Sequence, residues 1–173
     1  LKLGDRVWND ENRDGVQQTT EEGIAGITVT LYQNGPDGLP GTADDVKIGT
    51  TSTDVNGSYL FTDLAASTGA STNYNILFSN IPTGNIFTTQ NQTTNGGTDN
   101  TNNNSNVITG RTASVNLTAN NLTLDAGLVQ GIPAGKGSIG DRVWYDMPGG
   151  TDGVQDPTET GASGITVKLY KDV

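Results

Sequence analysis

Cysteine and histidine are both missing from the 173 residues. Their absence removes disulfide staples, thiolate nucleophiles, imidazole general bases and the usual ligands of zinc and copper. With neither residue present no ordinary nucleophile–base pair can be assembled, so the chain is not expected to be an enzyme. Long apolar runs are missing as well. No stretch of about 18 hydrophobic residues exists to cross a membrane as a helix, and no signal peptide opens the chain. Basic residues are scarce, 9 against 19 acidic ones, giving a net charge of −10 and a pI near 4.1. Such a chain repels nucleic-acid phosphate and anionic lipid, and needs solvent or cations to relieve its self-repulsion. Hydrophobic content is low at 32%, but it is gathered into short runs that suffice for a modest core.

What the sequence does have is a repeated sentence. Residues 3–32 read LGDRVWNDENRDGVQQTTEEGIAGITVTLY, and residues 139–170 read IGDRVWYDMPGGTDGVQDPTETGASGITVKLY. Asp5 recurs as Asp141, which sets a period of 136 residues: one full copy and the opening of another. Tandem copies are a means of building length. Residues 1–129 are expected to form a complete domain, 130–138 (QGIPAGKGS) a linker, and 139–173 the first part of a second repeat. The chain reads as a mature or excised piece of something longer.

Helical periodicity is rare, whereas short alternating or β-branched runs bounded by Gly, Asn, Asp and Pro are frequent. The expected strands are 6–9, 27–32, 46–53, 58–62, 74–79, 86–89, 112–118 and 122–129. In ITVTLY, Ile27, Val29 and Leu31 alternate with Thr28, Thr30 and Tyr32, as suits a sheet with one face on the core. Asn56-Gly57 sits between two such runs and predicts a hairpin. Seven or eight strands indicate an all-β sandwich. Residues 90–110, rich in Asn, Thr and Gly, are expected to be a mobile surface loop.

One stretch carries metal chemistry. Residues 10–21 fit the pattern D-x-[DN]-x-[DN]-G-x5-E at every defined position. Asp10, Asn12 and Asp14 occupy loop positions one, three and five, Gly15 permits the sharp turn, and the Val16 carbonyl is the seventh position. Gln18 acts directly or through water, and Glu21 closes the loop at twelve, with Glu22 as its substitute if the register slips. Calcium takes six to eight hard oxygens, which is what this set provides. In the second copy Asp146, Asp152, Asp156 and Glu159 persist, but the loop is two residues longer and Pro148 stands where the Asn was. A further acidic loop holds Asp37, Asp44 and Asp45, either as a second calcium site or as a solvated turn. Asp54 and Asn56 are explained by the turn they occupy. Trp8 and Trp144, at matching places in the two copies, read as core residues beside the loop, with an exposed sugar-stacking platform as the alternative.

The blocks GDRVWNDENRDGVQ…EGIAGITVTLY, NGPDGLPGTADD, TDVNGSYLFTDL and LTLDAGLV, in that order, resemble the calcium-binding B repeats of bacterial serine–aspartate (Sdr-type) surface adhesins. The resemblance covers nearly all of 1–129 and resumes at 139. It implies a transthyretin-like or immunoglobulin-like β-sandwich in tandem repeats, secretion to the cell surface and calcium-dependent rigidity. It also implies Asp10, Asn12, Asp14, Gln18, Glu21 or Glu22, Asp37, Asp44 and Asp45 as ligands. In the Asn-rich segment, where relatives often carry several acidic residues, only Asp99 is acidic. A Lys–Asn isopeptide lock, known in some relatives of the fold, has Lys2 as its candidate here.

The expected function is therefore a calcium-stabilised structural repeat: a stalk, spacer or fibre subunit of a secreted extracellular protein. Its partners are neighbouring repeats or identical subunits, and the incomplete second copy is a route to assembly by strand donation. The alternative is an adhesin module that binds a host protein or glycan.

Overall fold

The computed structural model describes residues 1–91, 101–131, 143–145 and 160–169. It divides into two units, 1–131 and 132–173.

The first unit is all-β. Its strands are β1 (Leu3–Asn9), β2 (Thr28–Gln33), β3 (Val46–Ser52), β4 (Ser58–Phe61), β5 (Tyr74–Ser79), β6 (Asn85–Phe87) and β7 (Ala126–Gln130), with one short 3-10 turn at Ala70–Thr72. They form two sheets, ordered β4-β1-β7-β6 and β3-β2-β5. All neighbours are antiparallel except β1 and β7, which run parallel with Val7 opposite Ala126. The two inner faces meet in a core of Leu3, Val7, Ile27, Val29, Leu31, Tyr59, Ile76, Phe78, Leu117 and Leu128. The period-two pattern of β2 is obeyed on its apolar side: Val29 and Leu31 are fully buried. On its other side Tyr32 lies beneath the Arg111 guanidinium, 4.7 Å from the ring centroid.

The expected hairpin at Asn56-Gly57 does not form. The turn itself is there: the Gly57 amide donates to the Asp54 carbonyl at 2.9 Å, the amides of Asn56 and Ser58 donate to Asp54 Oδ1, and Gly57 takes φ of 77°. But β3 pairs with β2 and β4 with β1, so the turn carries the chain from one sheet to the other. Local chemistry chose the turn, and the core chose where its arms went. A Cβ on Gly57 would sit 2.1 Å from the Val7 carbonyl oxygen, so the crossing is also tight.

Two expected strands are cut back by more than a residue or two. The one over 122–129 begins only at Ala126, and that over 112–118 is reduced to isolated bridges. Residues 110–115 nonetheless run beside β5, exchanging hydrogen bonds between Val115 and Tyr74 at 2.7 and 2.9 Å. The reading of 90–110 as a mobile surface loop is corrected for residues 102–105, while 107–109 are exposed as expected. Asn102, Asn103 and Ser105 are 5%, 0% and 0% exposed, because their side-chain hydrogen bonds are made inside the domain.

The second unit repeats a local feature of the first. Trp144 bridges Gly161 as Trp8 bridges Gly23. The Tyr145 amide donates to the Thr160 carbonyl at 3.0 Å as Asn9 does to Glu22 at 2.9 Å. Ala162 donates to Val143 at 2.8 Å as Ile24 does to Val7 at 2.9 Å.

Candidate metal centre

The loop that follows β1 is wound around one carboxylate. Asp10 is 2% exposed, and its amide donates to the Leu128 carbonyl, fixing the loop's start against β7. Its Oδ1 accepts from the Asp14 amide at 3.2 Å. Its Oδ2 accepts from the Gly15 amide at 2.9 Å and from the Thr88 hydroxyl at 2.5 Å. Gly15 has φ of 75°, the left-handed turn for which the sequence pattern reserves a glycine. Asp14 is held in turn by the Val16 amide at 2.8 Å, Gln18 Nε2 at 2.8 Å and Asn12 Nδ2 at 2.9 Å. Glu21, not Glu22, turns into the loop. It is 5% exposed and accepts from the amides of Glu11 and Gln18, both at 2.9 Å, whereas Glu22 is exposed and contributes its backbone carbonyl to Asn9.

The structure thus brings together Asp10, Asn12, Asp14, Val16, Gln18 and Glu21. Among the described residues no group of three or more acidic side chains forms a ready-made metal cage. The loop's carboxylate oxygens are instead engaged by N–H and O–H donors. Other oxygens of the loop are not. Among the described residues, Gln18 Oε1 is buried with no hydrogen-bond partner, and the carbonyl of Val16, a residue only 6% exposed, accepts no hydrogen bond. Buried acceptors without donors are costly. A hard cation satisfies them, so the donor set fits calcium. An open groove lined by Asp5, Arg6, Gln17, Gln18, Thr19 and Thr101 borders the loop and leaves it a path to solvent.

The electrostatics point the same way. Burial raises the Glu21 carboxyl above its ordinary value. The amides of Gln18 and Glu11 oppose the shift, and the negative charges of Asp10 and Asp14 add to it. Burial also pushes Asp14 upward, but hydrogen bonds from Gln18, Val16 and Asn12 outweigh it and leave that carboxyl below its ordinary value. The loop thus sets the like charges of Asp10 and Asp14 against Glu21.

The second acidic loop is arranged differently. The Thr42 hydroxyl lies 2.7 Å from Asp44 Oδ1, 3.4 Å from Asp37 Oδ1 and 3.4 Å from Asp45 Oδ1. One hydroxyl proton serves one of these oxygens at a time. The Thr42 hydroxyl, followed by the Asp37 amide, holds the Asp44 carboxyl below its ordinary value. Asp45 already has a cation: its Oδ2 is 3.5 Å from Arg111 Nη1 and also accepts from Asn75 Nδ2 at 3.1 Å. Arg111 in turn donates to Asn75 Oδ1.

Asp146, Asp152, Asp156 and Glu159, the candidates of the second copy, lie outside the described residues, as does Asp99. Trp8 is fully buried, which rules it out as an exposed sugar platform. The Lys2 side chain is exposed, and its contacts with Asn120 and Asn121 run through its backbone.

Sequence reasoning missed the residues that brace the loop. Thr88 bonds Asp10, and Asn103 bonds Thr88. Asn104 accepts from the Asp125 amide at 2.7 Å, and Asp125, fully buried, hydrogen-bonds Asp5. Burial raises the Asp5 carboxyl, against that hydrogen bond and the Arg6 charge. Burial, with the charges of Asp125 and Asp5 behind it, pushes the Tyr59 hydroxyl well above its usual value.

Comparison with known proteins supplies the family. The family model of the SdrD B-like domain matches residues 1–128. Serine-aspartate repeat-containing protein E of Staphylococcus aureus (strain USA300) is 38% identical over 170 residues, covering 98% of this chain and 12% of that protein. Serine-aspartate repeat-containing protein D of Staphylococcus aureus (strain MW2) is 39% identical over 170 residues, covering 98% and 11%. The chain therefore spans about an eighth of the length of these relatives. Among solved structures, the shaft pilin spaA from Lactobacillus rhamnosus GG aligns at 14% identity over 76% of this chain and 50% of its own, with a TM-score of 0.41. With its two-sheet fold and its matched sequence, the chain belongs to the SdrD B-like domain family.

Proposed function

We propose that this chain is a calcium-stabilised structural repeat, a stalk, spacer or fibre unit of a secreted bacterial cell-surface protein, with no enzymatic role. The observation that carries the reading is the loop wound on Asp10. It gathers three carboxylates and leaves the Val16 carbonyl and Gln18 Oε1 without partners among the described residues. Bound calcium supplies positive charge against Asp10, Asp14 and Glu21 and accepts these oxygens as ligands. The chain's own part is to fix the loop: Asp10 ties it to β7 and Thr88, and Glu21 closes it across Glu11 and Gln18. Because an ion that binds the folded loop better than the unfolded chain stabilises the fold, the melting temperature should fall on adding chelator and recover with calcium. An unchanged melt, with no calcium by elemental analysis, overturns the reading.

Assembly, in this proposal, runs through the second copy to neighbouring repeats or identical subunits. Ile165, Val167 and Leu169 are 54%, 78% and 78% exposed and lie in no strand, alternating apolar residues of the kind that pairing with another strand covers. Removal of residues 138–173 should leave a monomeric folded domain by light scattering. Equal self-association with and without the segment refutes this arm. The adhesin alternative loses one support, since Trp8 offers no exposed ring.

A further inference from the structure

The Asn-rich segment that follows residue 100 lies directly on the candidate calcium loop. The Gln17 amide donates to the Thr101 carbonyl at 2.6 Å, the Asn103 amide donates to the Gly15 carbonyl at 3.3 Å, and Val16 bridges Asn102 between them. In this antiparallel pattern the residue between the two bonds turns its own N–H and C=O away from its neighbour strand. Val16 obeys: its amide donates to Asp14 Oδ1 at 2.8 Å, inside the loop, and its carbonyl on the same side accepts nothing. Thr101–Asn103 is thus a strap that aims the expected backbone ligand.

The strap is anchored by one side chain. Asn103 is fully buried. Its Nδ2 donates to the Thr88 carbonyl at 2.6 Å and the Ser105 carbonyl at 3.1 Å. Its Oδ1 accepts from the Ser105 amide and hydroxyl at 3.1 and 2.6 Å and from the Gly127 amide at 3.3 Å. Thr88 then holds Asp10 through its hydroxyl. A single amide therefore registers both the first loop position, through Thr88, and the seventh, through the strap. Neither an apolar nor a carboxylate side chain can do this, because the site needs two donors and a shared acceptor.

We propose that Asn103 is a positioning residue for the calcium loop, so that docking of the 101–103 strap and cation binding are coupled. The inference rests on the calcium reading of the same loop. Residues that orient metal ligands without touching the metal typically change affinity by about 10–100-fold. Calcium titration of the intact chain by calorimetry, below the melting temperature of every variant, should show Asn103→Ala weakened by at least about tenfold. Leu117→Ala, in the core but outside this network, should lower the melting temperature and keep the affinity within about twofold. An Asn103→Ala affinity within twofold of the parent overturns the proposal. Should that variant not fold, amide exchange on the parent chain takes its place. Gln17 and Asn103 amides that gain protection with calcium alongside Gly15 and Val16 support the coupling, and strap amides indifferent to calcium while the loop slows refute it. A flat titration of the parent chain removes the calcium reading itself, which separates the two failures.

Discussion

The two copies of the repeated segment share their local bonding and differ in what covers them. Around Trp8 and around Trp144 the same bridge and the same two flanking hydrogen bonds close the same loop, although the second loop is two residues longer. Backbone pairing at the loop's neck is therefore written in the segment itself and tolerates two added residues between its arms, since added length costs little closure entropy. Burial is not written there. Ile27, Val29 and Leu31 are 1%, 0% and 0% exposed, while Ile165, Val167 and Leu169, in the same pattern, are 54%, 78% and 78% exposed. In the first copy β5 pairs along β2, and Leu117, Leu124 and Leu128 close the core over it. A β-strand's alternation states which face wants covering; only distant segments supply the cover.

The largest expected effect breaks this comparison at its apolar face. Leu31→Ala should destabilise the first unit by about 2–5 kcal/mol in urea denaturation, since a fully buried leucine leaves a cavity. Leu169→Ala should cost less than about 0.5 kcal/mol, as for an exposed site. Comparable losses at both positions would mean that Leu169 is covered in solution. That outcome would strengthen the strand-donation proposal at the expense of the exposure seen here.

Next comes the metal. At calcium a hundredfold above its Kd the parent chain should gain about 2.7 kcal/mol over the chelated form. Asp10→Ala should abolish that gain and also destabilise the chelated form, because the amides of Asp14 and Gly15 and the Thr88 hydroxyl lose their acceptor. Asp146→Ala should have the smaller effect, since the second loop has Pro148 in place of Asn12. Differential scanning calorimetry with and without chelator reads both. Equal effects would show that the two loops bind alike despite the lost ligand.

Much of the fold was legible because short-range rules govern it. The alternation in 27–32 named the buried face of β2, and Gly15 and Gly57 marked turns that need positive φ. The order of Asp10, Asn12, Asp14 and Glu21 marked a loop that its own side chains close by hydrogen bonds. What failed was any inference about distant partners. Asn56-Gly57 looked like a hairpin because a turn signal does not say whether its arms share a sheet. The 101–105 segment looked like solvent-exposed loop because composition scores polarity, not satisfaction. Asn103 is fully buried with both ends of its amide bonded, so its polarity is met within the domain. Only the partners Thr88 and Gly127 reveal this, and both are far from the first repeat block in sequence.

The smallest effect concerns protons on the first loop, and its sign differs between two acids. Asp14 has a folded value below its unfolded one near 3.8, so it contributes stability above that pH and loses it as the pH falls through the folded value. Glu21 has a folded value above its unfolded one near 4.5. Its contribution is therefore present below that pH and is lost as the pH rises through the folded value. In chelator the two trends oppose, and the parent chain should lose a little stability just above pH 4.5 that Glu21→Gln does not lose. Calcium should reverse this part of the profile. The ion needs Glu21 ionised, so its affinity climbs with pH over the same interval in which the metal-free loop weakens. Thermal melts of the parent and Glu21→Gln chains, across that interval in chelator and in calcium, provide the measurement. Parallel profiles in the two media would mean that Glu21 is outside the cation's reach, and would leave the loop's closing position to another residue.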